Sequence, residues 1–461
     1  MEEQGQRDPQ IVLVPCPFQG HINPMLNLGS ILHSKGFSIT IAHTQFNSPK
    51  PSDNPDFVFL PISDGLSYSD LSSKGIVDFI SCLNINCKEP LLESLTPMID
   101  EKQQLKELPC IIYDEYMYFA EQVAHLLKLP SVILSTGSAA NLLTYYAFPR
   151  LQKDGFIPFQ DDMALDMVPE LHPFRFKDLP FRFKDLPGAS SENLDALSKL
   201  IASARDTRSS SAMILNSMEY LEQSSLIQLK QQCRIPLFSI GPLHKTAPAP
   251  SSSLVKEEAS CMAWLDKQAL NSVIYVSLGS MVSMDEKELT EMAWGLAHSK
   301  QPFLWVLKRG PPGSFHGSES TDSLPNGFKE TIGNRGYIVN WAPQNEVLAH
   351  RAVGGFCSHC GWNSTLESIS DGVPMICRPS FGDQRVNTRY ICHVWRVGFE
   401  LENDLSREEI EGAIKRLMTG KEGEELRQRA IDMKVKVESC IKKGGSSYNS
   451  LNELVDGLFS S

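Results

Sequence analysis

Short apolar, β-branched runs alternate with stretches of helical periodicity along this chain, and this alternation constrains its fold more than any other feature. Residues 11–15 (IVLVP) form one run, Asn23 and Pro24 are a good helix start, and residues 37–42 form the next run. Residues 110–134 repeat the arrangement. Strands that alternate with helices belong to βαβ units, whose strands are parallel, so we predict an α/β protein built on parallel sheets.

The length of 461 residues is too great for one hydrophobic core and predicts two or three domains. Residues 244–254 are rich in Pro, Ala and Ser without periodicity, as linkers are, and a helix from about 285 to 300 follows them. We therefore predict an N-terminal α/β domain at residues 1–245, a linker at 246–256, a C-terminal α/β domain at 257–440 and a terminal helix at 441–461.

Charge and cysteine usage exclude several classes of protein. The chain has 43 Lys and Arg against 55 Asp and Glu, a net charge of −12 that disfavours binding to nucleic acid or to an anionic membrane. No apolar run is long enough to cross a bilayer, and the polar N-terminus lacks a signal core. Eleven scattered cysteines do not resemble a secreted disulfide framework. We expect a cytoplasmic, monomeric protein.

The usual phosphate-binding loops are missing from the sequence. Parallel α/β proteins bind nucleotides at the carboxyl ends of their strands, often through a G-x-G-x-x-G loop, but no two of the 30 glycines stand two residues apart. No Gly-Lys is followed by Ser or Thr, and no Asp-x-Asp occurs. A protein that uses NAD or ATP, or a simple metal–diphosphate site, is therefore disfavoured.

Residues 341–384 are unusually dense in residue types that form ligand-binding sites. Trp341 follows a predicted strand and offers a flat face to a base, while Asn363 and Ser364 open a helix whose N-terminal amides favour a phosphate. His359 adds a hydrogen-bond donor. The segment ends with side chains suited to sugar hydroxyls, Asp383 and Gln384.

Three features of this segment also allow a second interpretation. Ser364 and Glu367 have the spacing of a capping box, so Glu367 could cap its own helix, bind a ligand, or do both. Trp341 is equally consistent with a core aromatic. Cys357 and Cys360 are spaced like a zinc or redox pair, but no second cysteine pair stands at metal spacing, which disfavours that interpretation.

The 44 residues from 341 to 384 closely resemble the signature box of the plant family-1 UDP-glycosyltransferases, with the central HCGWNS of residues 359–364 intact. The resemblance covers essentially the whole chain and includes residues 17–24 (PFQGHINP) and 275–280 (YVSLGS). Residues 37–41 (FSITI), together with Phe46 and Asn47, look like the branch that includes cytokinin and steviol-glycoside glucosyltransferases. The resemblance implies a GT-B architecture: two facing Rossmann-like domains, the acceptor mainly on the first, the UDP-sugar mainly on the second, and a terminal helix that returns to the first.

The family pattern implies a role for eleven residues in binding UDP-glucose. Trp341 would stack on uracil with Ala342 and Gln344 around its edge, Glu367 would hold the ribose, Ser280, His359, Asn363 and Ser364 would bind the diphosphate, and Trp362, Asp383 and Gln384 would contact the sugar. A glutamine at position 384 accompanies glucose preference in the family. Phe381 departs from the pattern, since many members have tryptophan there. We expect neither a metal nor a resident cofactor.

Transfer of a sugar to a hydroxyl also requires a base that removes the proton. His21 lies at the opening of the first helix, where an ordinary helix-terminal histidine is the simplest interpretation from the residues alone. The matching family position is the general base, and Asp114 matches its carboxylate partner. Neighbouring side chains diverge at a strand end, so only one of Asp114 and Glu115 should reach the histidine, and we select Asp114.

The resemblance, together with these residues, implies an inverting UDP-glucose-dependent glucosyltransferase. It would be a hexosyltransferase of plant secondary metabolism that forms β-glucosides on a small, largely apolar acceptor such as a terpenoid, flavonoid or other phenol. One alternative is N-glucosylation of a cytokinin-like purine, which demands less of the base. A second is a non-catalytic protein that binds UDP-sugars, although such a protein needs neither His21 nor Asp114.

A tandem duplication interrupts the first half of the chain. Residues 173–179 and 180–186 are both PFRFKDL, whereas relatives generally carry one such segment. A packed core rarely absorbs seven extra residues, but a surface loop can. We predict that one copy makes the native contacts and that the other lies in an exposed loop near the acceptor side.

Overall fold

The computed structural model describes residues 9–105, 110–180, 191–205, 209–248, 254–281, 284–307, 324–401 and 405–459. The chain divides into two compact units. The first comprises Met1–Pro149, Ser190–Leu254 and Cys440–Ser461, and the second comprises Arg150–Ala189 and Val255–Ser439. None of the described helices combines the length and the apolar character needed to span a membrane.

The first unit is built on a parallel sheet of seven strands in the order β3-β2-β1-β4-β5-β6-β7. Its strands are β1 Gln10–Val14, β2 Ser38–Thr44, β3 Val58–Ile62, β4 Cys110–Asp114, β5 Ser131–Ser135, β6 Ala212–Leu215 and β7 Leu237–Ser239. Strands β1, β4 and β5 are buried over almost all of their length, as expected for a parallel sheet covered by helices on both faces.

The second unit contains a parallel sheet of six strands in the order β10-β9-β8-β11-β12-β13. Its strands are β8 Val273–Ser277, β9 Phe303–Val306, β10 Gly336–Val339, β11 Val353–Ser358, β12 Met375–Cys377 and β13 Gly398–Glu400. In both sheets the strand order reverses beside the first strand, which creates a crevice at the carboxyl ends of the two central strands. The predicted α/β fold with two Rossmann-like parallel sheets is confirmed.

Helices connect successive strands in both units. They are α1 Gln19–Ser34, α2 Tyr68–Asn86, α3 Lys88–Leu105, α4 Phe119–Leu127, α5 Ala139–Lys153, α6 Ser191–Arg205, α7 Glu219–Gln232, α8 Leu243–Thr246, α9 Ser260–Leu265, α10 Glu286–Ser299, α11 Phe328–Ile332, α12 Gln344–Ala349, α13 Trp362–Asp371, α14 Gln384–Arg389, α15 Arg407–Met418, α16 Lys421–Ile441 and α17 Ser446–Phe459. The helix predicted at about 285 to 300 is α10, whose ends are set by an Asp285–Glu288 capping box and by Lys300 in the left-handed conformation.

Helix α1 begins earlier than the sequence indicates. The predicted start at Asn23 and Pro24 is wrong, because the helix starts at Gln19 and contains Pro24. Proline at this position removes one intrahelical hydrogen bond, and burial of Ile22 and Met25 in the core offsets that loss. As a result His21 lies in the first turn of the helix.

The segments at the predicted linker and at the C-terminus both pack on the first unit. Residues 243–246, at the start of the predicted linker, form the short helix α8 with Leu243 fully buried, while residues 249–253 of that linker lie outside the described residues. In α17 the apolar side chains of Leu451, Leu454 and Val455 join the core formed around β1 and α1. The terminal segment therefore groups with the first unit although the second unit precedes it in the chain.

Residues 150–189, which the sequence-based limits place in the first domain, group with the second unit. The first heptad copy shows why. Its Phe174 is fully buried with its ring 5.8 Å from that of Tyr390, and Arg389 Nε donates a 2.8 Å hydrogen bond to the Pro173 carbonyl. Of the second copy only Pro180 lies among the described residues; residues 181–186 lie outside them.

We expect deletion of residues 180–186 to leave the melting temperature within a few degrees and the UDP affinity unchanged. The deletion joins Leu179 to Pro187, so the first copy keeps both its contacts and a following proline. The change in loop-closure entropy is only about 0.6 kcal/mol per doubling of loop length. Thermal unfolding and calorimetric titration with UDP would check this, and a deletion variant that does not fold would show that both copies are integral.

Candidate active site

The strand order of the first sheet explains why two residues that are distant in sequence meet. Strand β1 pairs with β4, and β4 pairs with β5, so the carboxyl ends of all three strands are adjacent. His21 follows β1 in the chain, Asp114 ends β4 and Thr136 follows β5. The reversal of strand order between β1 and β4 is where α/β sheets place their ligands.

His21 and Asp114 form a hydrogen-bonded pair. His21 Nδ1 lies 2.8 Å from Asp114 Oδ2, and the Thr136 hydroxyl lies 2.8 Å from the same nitrogen. The Asp114 side chain is fully buried, whereas 22% of the His21 side chain is exposed. The amide of Tyr116 donates to the other carboxylate oxygen, which fixes its orientation. A carboxylate on Nδ1 holds that nitrogen protonated and leaves Nε2 as the acceptor.

The surroundings of His21 are aromatic. The ring of Tyr116 lies 5.4 Å from the imidazole, and that of Phe18 lies 6.3 Å from it. Phe18 also contacts Phe46 and Phe79, with ring centroids 6.4 and 6.0 Å away. A polar pair bordered by aromatic rings suits a ligand that is mostly apolar with one hydroxyl.

In the second unit, the residues predicted to bind UDP-glucose gather at the carboxyl ends of the strands. Ser280 follows β8, Trp341 follows β10 and His359 follows β11 directly, while Asp383 and Gln384 follow β12. Strands β8 and β11 are neighbours at the point where the strand order reverses. The topology thus brings segments more than 100 residues apart to one edge of the sheet.

One hydrogen-bonded network links three of the predicted residues. Gln344 Nε2 donates to Ser364 Oγ at 2.9 Å and to Glu367 Oε2 at 2.6 Å, and the Tyr275 hydroxyl donates to Gln344 Oε1 at 3.1 Å. Gly361 caps α13 without a side-chain bond, so the capping-box interpretation of Ser364 and Glu367 is wrong. The reason is that α13 begins at Trp362, two residues before Ser364. The Glu367 carboxylate is therefore positioned by Gln344.

The two tryptophans differ in burial. Trp341 is only partly buried, which does not fit the core-aromatic interpretation, and its carbonyl accepts from Glu258 N at 2.8 Å. Its neighbour Ala342 is buried. Trp362 is also buried, with its ring 6.3 Å from that of Trp395. Helix α13 begins at Trp362, and the residue before it, Gly361, packs against His359. The positive end of the helix dipole therefore lies beside His359.

His359 lies between two glycines. A Cβ atom at Gly279 would stand 2.5 Å from His359 Cε1 and Nε2, and one at Gly361 would stand 2.5 Å from Nε2. Burial lowers the pKa of His359 to about 4, so the imidazole is neutral at physiological pH. His359 therefore offers a diphosphate a hydrogen bond and not a positive charge.

We expect Gly279→Ala to lower the affinity for UDP by about tenfold or more. The added methyl group would overlap the His359 ring, and Gly279 has φ +78°, a conformation that strains alanine. Calorimetric titration with UDP would measure the loss. Gly412→Ala is the matched control, because a Cβ there meets no atom within 4 Å. Unchanged affinity in Gly279→Ala would contradict the proposed position of the diphosphate beside His359.

The loop after β12 fixes both of its polar residues. Gln384 Oε1 accepts from the amides of Ser380 and Phe381 at 2.8 and 3.3 Å, and Asp383 Oδ2 accepts from Asn387 Nδ2 at 2.9 Å. Both lone pairs of the Gln384 carbonyl are thus engaged, so the side chain can offer a ligand only its N–H groups.

Sequence reasoning missed Thr136, Tyr275 and Gly279. Thr136 and Gly279 could have been found from their positions just after predicted strands. Tyr275 lies inside β8 and, although residues 275–280 match the family, only Ser280 of that segment was assigned a role. Cys357 and Cys360 are buried thiols that form no disulfide, and seven of the eleven cysteines are buried in all. Among the described residues, one His/Cys/Asp/Glu cluster has metal-like spacing, and it consists of Cys16 with the His21–Asp114 pair.

Comparison of the sequence with those of known proteins identifies the same family. The model of the family described as "UDP-glucoronosyl and UDP-glucosyl transferase" matches residues 66–428. UDP-glycosyltransferase 76E1 of Solanum lycopersicum is 48% identical over 452 residues, which are 98% of this chain and 92% of the relative. Flavonol 3-O-glucosyltransferase UGT76E12 of Arabidopsis thaliana is 47% identical over 461 residues, 99% of this chain and 98% of the relative.

Solved structures agree over almost the full length. UGT2 of Phytolacca americana, complexed with UDP-2fluoro-glucose and pterostilbene, superposes with a TM-score of 0.81 at 25% identity, covering 98% of this chain and 100% of that one. A UDP-glucosyltransferase from Polygonum tinctorium capable of glucosylating indoxyl gives a TM-score of 0.80 at 25% identity, covering 99% and 100%. The chain therefore belongs to the plant family-1 UDP-glycosyltransferases, enzymes with the GT-B fold.

Proposed function

We propose that this glycosyltransferase transfers glucose from UDP-glucose to a hydroxyl of a small, largely apolar acceptor, with inversion at the anomeric carbon. The observation that carries the proposal is the His21–Asp114 pair, with 2.8 Å between imidazole and buried carboxylate. A protein that only bound UDP-sugars would need no such pair.

The pair supplies a base for a single displacement. Asp114 keeps the proton on His21 Nδ1, so Nε2 can take the proton of the acceptor hydroxyl as the oxygen attacks the anomeric carbon. Asp114 then stabilises the imidazolium that forms, without becoming protonated itself. One displacement on an α-linked donor gives a β-glucoside.

The leaving group is a diphosphate, whose charge must be stabilised as the bond breaks. The N-terminus of α13 provides backbone amides and the positive end of a helix dipole, and neutral His359 provides a further donor. Ser280 and Ser364 add hydroxyl groups near the same strand ends. We propose that these groups suffice and that the reaction requires no metal ion.

Glucose selection is assigned to Asp383 and Gln384. Asp383 can accept hydrogen bonds, while Gln384 can only donate because its carbonyl is held by Ser380 and Phe381. An acceptor beside a donor complements two neighbouring sugar hydroxyls. We expect UDP-glucose to be used in strong preference to UDP-galactose, and equal use of both would show that this pair does not select the sugar. Competition between the two donors, read by mass spectrometry, measures it.

The aromatic surroundings of His21 support an apolar acceptor with one reactive hydroxyl. The names of similar proteins are consistent with such acceptors, because they include a flavonol 3-O-glucosyltransferase and an enzyme that glucosylates indoxyl. Flavonoids, other phenols and terpenoid alcohols are therefore the proposed substrates.

A panel of phenols, terpenoid alcohols and adenines incubated with UDP-glucose tests the proposal. Glucosides of the hydroxyl compounds, together with UDP release, are the expected result. If only the adenines were glucosylated, and if His21→Ala retained that activity, the enzyme would be an N-glucosyltransferase and the proposed reaction would be wrong.

A further inference from the structure

Two cysteines of the second unit face each other at the base of the sugar-binding loop. Cys377 is the last residue of β12, and Cys392 lies in a π-helical turn, Tyr390–Val394, that continues α14. Their Sγ atoms are 3.8 Å apart. Cys377 is fully buried, whereas Cys392 is partly exposed. A disulfide would require these two sulfur atoms to approach to about 2.05 Å.

The segment between the two cysteines contains the residues assigned to glucose. Cys377 and Cys392 are 15 positions apart, and Asp383 and Gln384 lie between them. Asn387 connects this segment to the residues that follow β11. Its Nδ2 donates to Asp383 Oδ2 at 2.9 Å and to the Cys360 carbonyl at 3.0 Å. A disulfide would close a covalent ring around the segment.

A cavity lined by both arginines and glutamates opens beside Cys392. It has a volume of about 750 Å³, and its lining includes Cys392, three glutamates and five arginines, Arg175, Arg389, Arg396, Arg416 and Arg429. The guanidinium of Arg396 makes no hydrogen bond or ion pair with the described residues, and Arg389 and Arg416 lie within electrostatic range of the Cys392 sulfur. Partial burial and then the charges of Arg389, Arg175 and Arg396 lower the pKa of His393. Arg175 and Arg389 are paired with Asp178, Arg416 with Glu422 and Arg429 with Glu425, so Arg396 is the guanidinium of this lining that is left to meet an anion.

We propose that Cys392 is a modification site for small anionic disulfides, with glutathione disulfide as the representative, and that Cys377 resolves the adduct into a Cys377–Cys392 disulfide. The Cys392 thiolate attacks one sulfur of the oxidant, whose S–S bond breaks and releases one glutathione thiol. Cys377 then gives up its proton and attacks the Cys392 sulfur of the mixed disulfide, which releases the second glutathione. The two protein thiols are oxidised by two electrons, and the oxidant is reduced to two thiols.

The second step should be slower than the first. Burial, followed by the neighbouring thiols of Cys360 and Cys392, raises the pKa of Cys377 well above its usual value. Because the thiolate is the attacking species, resolution by Cys377 is slow and the glutathione adduct on Cys392 should accumulate before the disulfide.

The expected consequence concerns the sugar and rests on the proposed function of Asp383 and Gln384. The disulfide would draw the π-helical turn towards β12 and shift this pair, while the Gln344–Glu367 network stays outside the ring. Affinity for UDP-glucose should therefore fall by about tenfold relative to affinity for UDP. Dithiothreitol should restore it.

The test uses the reduced full-length protein treated with glutathione disulfide. Intact-mass measurements over time should show one glutathionyl group added and then lost, and peptide mapping should find Cys377 linked to Cys392. Cys377→Ser should stop at the adduct, and Cys392→Ser should form neither product. Cys440→Ser is the matched control, because Cys440 is also a partly exposed free thiol and should leave the reaction unchanged.

Anion recognition is tested separately with Arg396→Asn, since asparagine tolerates the left-handed conformation of this residue, φ +56°. This variant should react several times more slowly with glutathione disulfide but normally with uncharged hydroxyethyl disulfide. A Cys360–Cys377 link, no link, or equal modification of Cys392→Ser would overturn the proposal. A Cys377–Cys392 disulfide that leaves UDP-glucose affinity unchanged would overturn the proposed effect on the sugar site. Peptide mapping of the disulfide does not depend on sugar transfer, so failure of the proposed function would be recognised independently.

Discussion

Replacing His21 by alanine is expected to lower the turnover of an alcohol acceptor by about 10²- to 10⁴-fold, the range that a positioned general base contributes. The imidazole is the group paired with buried Asp114, and its loss removes the acceptor of the hydroxyl proton. UDP-glucose affinity should not change, because the residues assigned to the nucleotide sugar belong to the other unit. Steady-state kinetics and calorimetric titration of the same preparation separate the two effects.

Two further variants sharpen this prediction. Asp114→Asn keeps the shape of the pair but weakens its hold on the Nδ1 proton, so it should lose less activity than His21→Ala. His125→Ala, which removes an exposed histidine of α4, should behave like the wild type. Near-normal turnover of a weakly acidic alcohol by His21→Ala would refute the assignment of the base.

Replacing Glu367 by alanine is expected to weaken UDP binding by about 10- to 100-fold, the equivalent of losing hydrogen bonds to a charged group. The carboxylate is held by Gln344 Nε2 at 2.6 Å and is not used to cap α13. Gln344 keeps Ser364 as a partner in the variant, so the fold should persist. Calorimetric titration with UDP, UDP-glucose and UMP should show a similar loss for all three, since they share the ribose.

Glu346→Gln is the matched control, because Glu346 is an exposed carboxylate of the neighbouring helix α12. It should bind UDP like the wild type. If Glu367→Ala lost affinity for UDP-glucose alone, the carboxylate would contact the sugar and not the ribose.

The parallel sheets and the residues at their carboxyl ends could be predicted because they depend on local pattern. A β-branched run followed by helical spacing places the next polar residues at a sheet edge, as for His21 after β1 and His359 after β11. The partnership of His21 with Asp114 needed the family resemblance, since sequence spacing does not show that β1 and β4 are neighbours.

Other features depend on packing that no local pattern records. Helix α13 begins at Trp362, with Gly361 as its N-cap packed against His359, so the Ser364–Glu367 spacing misleads. The Gln384 carbonyl is engaged by the backbone of its own loop, a contact that requires the folded turn. Thr136 reaches His21 only because β5 lies beside β4.

The stereochemistry of the product tests the central claim most directly. The enzyme is incubated with UDP-glucose and a phenol that the panel shows to be a substrate. Proton NMR of the purified glucoside then shows the configuration of the anomeric carbon. A single displacement by an oxygen activated at His21 predicts the large trans-diaxial coupling of a β-glucoside. The small coupling of an α-glucoside would contradict the mechanism, because it would require retention through two displacements or another route.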